Sequence, residues 1–340
     1  MKGLRLLGDR RSELADFPHP ELQSGWAVVR TTMSAVCGSD LHIYRQDAEQ
    51  VGSRSNRVAG HEAVGVIEEL APGVEGLAPG DRVVVYQHYG CNRCAYCRAG
   101  EPMFCPERKT LGNHINGADA EFVAVPAMNC LPLPDSLSDE VAALMGCNFG
   151  TAFSGVSKLQ LEAGDVAVVY GLGPVGCCVV TVAAGSGADV IAVDPVKGRR
   201  GLAETLGAAW TIDPTTSDTR ALIRDMTQGR GADAVIDCSG NPQAQSEALD
   251  IVKPKGRVLV LGANDRMVVN PGTQLIRKEI TLLGSWVYRL GEYEAMVRLA
   301  EKRRGDLATI VTRSFDGSEA EDALRAADGL AEGKIVIDWT

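Results

Sequence analysis

No run of about 18 or more apolar residues occurs in the 340-residue sequence, so no segment qualifies as a membrane-spanning helix. Basic residues are in deficit: 34 Lys and Arg stand against 44 Asp and Glu, a formal charge of −10. That sign disfavours a generic grip on nucleic acid or on an anionic membrane, and no basic stripe offsets it. Aromatics make up only 5%, and none cluster with basic residues as a base-stacking platform requires. The segment Met1 to Pro20 carries Lys2, Arg5, Asp9, Arg10, Arg11 and Glu13 with no apolar centre, unlike a secretory signal. There is no internal repeat and no low-complexity stretch. A cytoplasmic protein is expected, in which ten cysteines stay reduced and need an explanation other than disulfides.

The remaining composition is globular, and the length suggests two domains. Short apolar runs punctuated by Gly and Pro come first: Trp26–Thr31, Ala63–Leu70, Arg82–Tyr86 and Glu121–Val125, with turns at Pro72-Gly73 and Pro79-Gly80. They predict antiparallel strands in a small barrel-like domain. The pattern changes near Cys147. Six strands follow, at Val166–Tyr170, Val190–Val193, Trp210–Ile212, Ala234–Asp237, Val258–Leu261 and Ile280–Leu283. Helical stretches (Val175–Ala184, Arg199–Leu206, Thr219–Thr227, Pro242–Val252) lie between them. Alternation of this kind predicts an α/β fold with a doubly wound parallel sheet. After Trp286 a helix (Glu292–Glu301), an apolar run (Ala308–Arg313), a helix (Ser318–Leu330) and a strand (Lys334–Asp338) are expected to return to the first domain.

Cys91, Cys94, Cys97 and Cys105 fall in the spacing C-x2-C-x2-C-x7-C. Four thiolates on one loop suit tetrahedral zinc with no open position, a structural site. Iron–sulfur ligands also repeat at two-residue gaps, but the nearness of the fourth cysteine and the lack of a Pro directly after the third favour zinc. Cys37, the His61-Glu62 pair and Cys147 are individually weak signals, since a free Cys often behaves as a small buried hydrophobe. Their contexts are not ordinary: Cys37-Gly38-Ser39-Asp40-Leu41-His42 follows an apolar strand, and Gly146-Cys147-Asn148 sits at the domain junction. Two thiolates and one imidazole leave a fourth position for water or substrate. Glu62 is an alternative ligand or a close neighbour of the ion, and Asp40 a candidate acceptor for the other ring N–H of His61.

The strand Val166–Tyr170 runs into Gly171-Leu172-Gly173-Pro174-Val175-Gly176 and then a helix, with Asp194 ending the next strand. That context turns a weak motif into a dinucleotide fingerprint: a tight turn, close approach to pyrophosphate, and an acid for the ribose 2′-OH. Asp194 repels a 2′-phosphate and so favours NAD; Arg199 and Arg200 keep NADP open.

Taken together in this order, these motifs give a sequence that resembles the zinc-dependent medium-chain alcohol dehydrogenase superfamily over nearly its whole length. The resemblance implies a GroES-like β-barrel catalytic domain (1–147 and 287–340) and a Rossmann six-stranded domain (148–286), with the active site in the cleft between them. It implies catalytic zinc on Cys37, His61 and Cys147, structural zinc on the four-cysteine loop, and a homodimer or homotetramer built through the cofactor domains. Residues matching Ser39 and His42 bond the substrate hydroxyl and relay its proton, with Glu62 and Asp40 beside the metal. One matching Thr151 touches the nicotinamide, and Arg199 lies by the adenosine. The expected reaction is hydride transfer between an alcohol and NAD, with zinc as Lewis acid.

Substrate is the open question. Relatives act on sugar alcohols, cyclitols and threonine. Their Gly-Gly-x-Ala-Glu-Tyr segment, x bulky or aromatic, reads Gly117-Ala118-Asp119-Ala120-Glu121-Phe122 here. Asp119, with His114 and Asn148, is therefore expected to contact a polar substrate such as a polyol, cyclitol or aminocyclitol; a solvent-facing Asp119 is the plainer alternative. Threonine 3-dehydrogenase-like oxidation and a non-catalytic dinucleotide-binding regulator are the rival functions, and a nucleic-acid zinc module is disfavoured by charge. Cys130, Cys177, Cys178 and Cys238 are read as buried apolar residues.

Overall fold

The computed structural model describes residues 1–264, 266–329 and 331–340. The chain divides into two compact units, one of 1–147 with 289–304 and 311–340, the other of 148–288 with 305–310.

The first unit is organised by the ten-residue strand Trp26–Ala35. Its alternation buries Ala27 and Val29 in one core with Ala63, Ile67, Val83, Val85 and Val125. Ala63–Leu70 pairs antiparallel along one edge. The other edge is shared: Phe122–Pro126 pairs with the first half of the strand and Lys334–Asp338 with the second. The sheet has seven strands, completed by Arg82–Val85, Cys130–Pro132 and Val311–Asp316. It is mixed, because Val311–Asp316 runs parallel to Lys334–Asp338. An N-terminal hairpin, Lys2–Gly8 with Arg11–Asp16, lays Leu4 and Leu6 on a second core with Leu324, Ile335 and Ile337.

The second unit is a six-stranded, wholly parallel sheet. In spatial order its strands are Trp210–Ile212, Asp189–Val193, Val166–Tyr170, Ala232–Asp237, Val252–Val260 and Thr281–Gly284. The chain therefore steps outward from its first strand in one direction, then returns to step outward in the other. That reversal creates the crevice at strand C-termini where such sheets bind ligands.

The tail departs from expectation in three respects. The apolar run Ala308–Arg313 divides into a helix, Arg304–Ile310, and the strand Val311–Asp316. Its residues 305–310 belong to the nucleotide unit, not to the expected 287–340 segment, as do 287 and 288; fully buried Leu307 and Ile310 anchor that helix. The expected helix Ser318–Leu330 is a short 3-10 turn followed by Ala320–Asp328, and Leu330 lies outside the described residues.

Candidate active site and metal centres

The Trp26–Ala35 strand ends at Val36, and Cys37 caps the helix Gly38–Arg45 with extended backbone. The Cys37 N–H donates to Asp40 Oδ2 at 2.9 Å, which turns the other carboxyl oxygen towards His61. His61 Nδ1 lies 3.1 Å from Asp40 Oδ1; with that nitrogen donating, Nε2 is left to bind an ion. Ligand atoms of Cys37, His61, Glu62 and Cys147 all lie within 4.8 Å of one another. Thiolates about 2.3 Å from a tetrahedral zinc stand roughly 3.8 Å apart, so these four donors fit one ion.

The electrostatics favour a cation there. The Cys37 thiol is held well below its ordinary value, first by a hydrogen bond with Cys147 and then, against burial, by the His61 ring. Cys147 is pushed up by the same hydrogen bond and by burial. Burial acts to depress His61, yet the charges of Asp40 and Cys37 outweigh it and hold the ring well above its usual range. Burial raises Glu62 to about 8, with Lys334 the chief opposing influence. Lys334 and Glu62 are 1% and 0% exposed at the side chain and 2.5 Å apart. Losing one member of such a pair costs about 3–5 kcal/mol, because the other charge is then buried alone.

Ser39 and His42 are both exposed on the Gly38–Arg45 helix. Three residues apart, they share one helical face, and Gln46 Nε2 lies 3.3 Å from His42 Nε2.

The second cysteine group is compact. Ligand atoms of Cys91, Cys94, Cys97 and Cys105 lie within 4.8 Å of one another. Cys94 caps a one-turn helix, Ala95–Arg98, and its sulfur accepts from the Cys97 N–H at 3.5 Å. The Cys91 N–H donates to Cys105 Sγ at 3.4 Å. N–H groups of Arg93 and Cys94 lower the Cys91 thiol to about 7, while burial raises Cys97 to about 12. Four sulfurs, with no other donor grouped with them among the described residues, suit a structural zinc.

In the nucleotide unit, Gly171 takes φ +83°, and a Cβ there would meet the Ser239 backbone at 2.7 Å. At Gly176 a Cβ would fall 1.9 Å from the Gly171 carbonyl oxygen. Gly173 caps the helix Pro174–Gly185, and Pro174 occupies its first turn, where no N–H is needed. Val175 is the second residue of the same helix, so the turn presents the positive end of the helix dipole. Leu172 and Val196 N–H groups each donate to Asp194 at 2.8 Å. Arg199 Nη1 stands 3.8 Å from Asp194 Oδ2, whereas Arg200 is committed to Asp213 at 3.0 Å and to the Asp194 carbonyl. Thr151, half buried, lies on the helix Asn148–Ser157.

The expected substrate contacts differ in their surroundings. Asp119 is 1% exposed and does not face solvent; its carboxyl packs on Gly60. Burial, then the charge of Asp40, raises it to about 7. His114 is exposed, and its Nδ1 accepts the Thr110 N–H at 3.2 Å. Asn148 is buried and its Oδ1 has no hydrogen-bond partner. Sequence reasoning passed over Lys334, although a Lys inside Lys334-Ile335-Val336-Ile337 is an interrupted apolar strand. It also passed over Gln87, 4% exposed with an unpartnered Nε2. Gln87 lies two residues past Val85, the cross-strand partner of Ala63, as His61 lies two before Ala63.

Comparison with known proteins bears on both units. Residues 23–135 match the family described as alcohol dehydrogenase GroES-like domain, and residues 174–302 that described as zinc-binding dehydrogenase. An L-threonine 3-dehydrogenase from Marinomonas sp. is 31% identical over 332 residues, 96% of each chain. Among solved structures, alcohol dehydrogenase TADH from Thermus sp. ATN1 superposes with TM-score 0.92 at 30% identity, covering 99% of both chains. A 2R,3R-butanediol dehydrogenase from Bacillus subtilis does so with TM-score 0.88 at 25% identity, covering 100% of this chain and 99% of its own.

Proposed function

The chain belongs to the zinc-dependent medium-chain alcohol dehydrogenase superfamily and is an oxidoreductase acting on CH–OH donors; from that premise we propose that it oxidises a polar secondary alcohol, a polyol, cyclitol or aminocyclitol, with NAD. The observation that carries the reaction is the convergence of Cys37, His61, Glu62 and Cys147 on one point, backed by the Asp40–His61 contact. When bound, zinc supplies Lewis-acid polarisation of the substrate oxygen and NAD accepts the hydride.

The chain's own residues do the rest. Asp40 fixes the His61 ring so that Nε2 faces the ligand position. Ser39 would accept the hydroxyl proton as it gives its own to His42, on the same exposed helix face, whose ring then releases a proton to water. Lys334 draws the Glu62 carboxyl to itself and so limits its competition with substrate for the fourth position. Asp194 accepts the ribose hydroxyls: a carboxylate has about four acceptor sites, and two are used by Leu172 and Val196. Its charge disfavours a 2′-phosphate, and Arg200 is held by Asp213.

The preference for a polar substrate rests on Gln87. A buried amide N–H without a partner costs roughly 1–3 kcal/mol, and the oxygen of a second substrate hydroxyl could accept from it. L-threonine is the second reading, favoured by full-length similarity to threonine 3-dehydrogenases. We further propose a homo-oligomer in the cytoplasm. Thr281–Gly284 is an outer strand of its sheet, and Leu282, Trp286 and Ile276 are exposed apolar residues on or near it, a surface suited to a second copy. Among the described residues no helix is long and apolar enough to cross a membrane, and ten cysteines outside any disulfide suit a reducing compartment.

The test is initial-rate measurement with polyols, cyclitols, aminocyclitols, simple alcohols and L-threonine, each with NAD and NADP. The expected result is at least about tenfold higher kcat/KM with NAD, a difference of about 1.4 kcal/mol, and turnover highest on the polyol or cyclitol class. Highest turnover on threonine establishes the second reading. Dinucleotide binding with no turnover on any alcohol by zinc-loaded protein returns the regulatory one.

A further inference from the structure

We propose that Asp119 is a positioning residue of the buried metal site: its carboxyl group locks the Gly60–His61 corner and thereby sets the His61 ring for the ion. The proposal rests on the reading of Cys37, His61 and Cys147 as ligands, and extends it to a residue outside the donor set.

The backbone delivers Asp119 to that corner. Gly117, Ala118 and Asp119 N–H groups donate to Val58, Gly60 and Ala59 carbonyls at 2.8, 3.2 and 3.0 Å. The Leu4 N–H donates to the Asp119 carbonyl, and the Leu4 carbonyl accepts the Ala59 N–H, both at 2.8 Å. Asp119 and Ala59 are thus tied to each other directly and again through the N-terminal hairpin.

The side chains interlock. Gly60 holds φ +80°, and a Cβ on it would fall 2.3 Å from the Asp119 carboxyl carbon. The carboxyl therefore fills the space that any other residue at 60 would claim, directly before His61. Ser34 acts on the carboxyl from the other side, opposing the effect of burial. Ser34 Oγ accepts from Trp339 Nε1 at 3.0 Å. Ser34 is also the cross-strand partner of Ala63, two residues beyond His61. One carboxyl thus fills the corner just before the imidazole, and the backbone bonds of 117–119 tie it to 58–60. Asp119 Oδ1 has no hydrogen-bond partner of its own, so the group is not placed there for its own satisfaction.

A substrate contact is the competing role, and burial at 1% exposure opposes it.

Outer residues that orient a metal-binding histidine typically contribute 10–100-fold to metal affinity. The test measures zinc affinity of the full-length protein by chelator competition, and the visible spectrum of the cobalt-substituted form. For Asp119→Ala, one of two zinc ions should bind about 10–100-fold more weakly. The cobalt bands of the buried site should shift, and kcat should fall with the KM for NAD unchanged. Asp119→Asn, which keeps the shape that fills the Gly60 corner, should recover most of the affinity. Asp119→Ser gives the same comparison should the alanine chain fail to fold.

Wild-type affinity at both sites with an unaltered cobalt spectrum overturns the proposal. So does a change confined to the KM of polar alcohols, which would make Asp119 a substrate contact. Wild-type protein that binds metal only at the four-cysteine loop would instead refute the ligand reading itself.

Discussion

The thiols of Cys91, Cys94, Cys97 and Cys105 come from one short loop, whereas Cys37, His61, Glu62 and Cys147 are spread over about 110 positions. The loop group closes by local turns, and three of its four cysteines are only half buried. The spread group depends on the pairing of Trp26–Ala35 with Ala63–Leu70 and on the Lys334–Asp338 strand, and His61, Glu62 and Cys147 are buried. The loop's electrostatics are those of sulfur and backbone N–H. The spread site also carries two carboxyls, an imidazole and an ammonium out of water. A closed ligand set near the surface can stiffen a loop at little desolvation cost. An open set must be both dry and charged, and its surroundings have to pay for that.

The sharpest way to break this contrast is to remove one sulfur from each group. Cys147→Ser should reduce bound zinc from about two to one per chain and lower kcat/KM by about a thousandfold, or ~4 kcal/mol. Cys97→Ser should also leave one zinc, yet keep activity within about tenfold (~1.4 kcal/mol) while lowering the melting temperature. Metal analysis with steady-state kinetics checks both. The opposite pairing of effects would exchange the two roles.

Next in size is the buried ion pair. Lys334→Met should destabilise the chain by about 3–5 kcal/mol in urea unfolding, and adding Glu62→Gln should recover much of it, with loop zinc retained. A Lys334→Met protein as stable as wild type would mean that the spread site has no desolvation burden to set against the loop.

The smallest expected effect concerns the root of the loop. His88 is in a two-stranded ladder with Lys109–Thr110, and its Nδ1 is 2.9 Å from Thr110 Oγ1. Burial, followed by the His61 and Arg108 charges, lowers its pKa to about 3, below the ~6.5 of an unfolded chain. Between those values the unfolded state binds more protons. Stability from this group is therefore complete above about pH 6.5 and drains as pH falls towards 3, by up to about 1.4 kcal/mol per unit. His88→Gln should flatten the urea midpoint between pH 7.5 and 5 relative to wild type. Parallel slopes would place the acid sensitivity elsewhere.

What was legible in the sequence follows the same division. The four-cysteine spacing and the glycine turn state their geometry locally, because each is one turn or loop that the chain closes by itself. The parallel sheet was legible from apolar runs repeating with helices. Cys37, His61 and Cys147 needed the family resemblance, since nothing in their spacing says that a sheet will gather them. Lys334, Gln87 and the inward turn of Asp119 were not legible: each is defined by burial against residues distant in sequence. Asp119 shows the limit clearly. A carboxylate in a Gly- and Ala-rich segment reads as available to ligand or water, and only the missing Cβ of Gly60 reveals the niche that takes it in. The tail misled for a related reason. An apolar run does not say which of two cores will bury it, and residues 305–310 join the nucleotide unit.

The shared edge of the Trp26–Ala35 strand also sets an order of events during synthesis. Ala35 pairs with Val336, about 300 residues downstream, and Lys334 is carried on the same late strand. At ribosomal elongation rates of roughly 5–20 residues per second, that gap lasts on the order of 15–60 seconds. The four-cysteine loop has all its sulfurs once Cys105 has emerged, and the nucleotide sheet can assemble as a unit in the interval. The buried donors wait, with Glu62 lacking its counter-charge, until nearly the whole chain has left the ribosome. Metal capture by a nascent chain should therefore begin at the loop and finish at the catalytic centre.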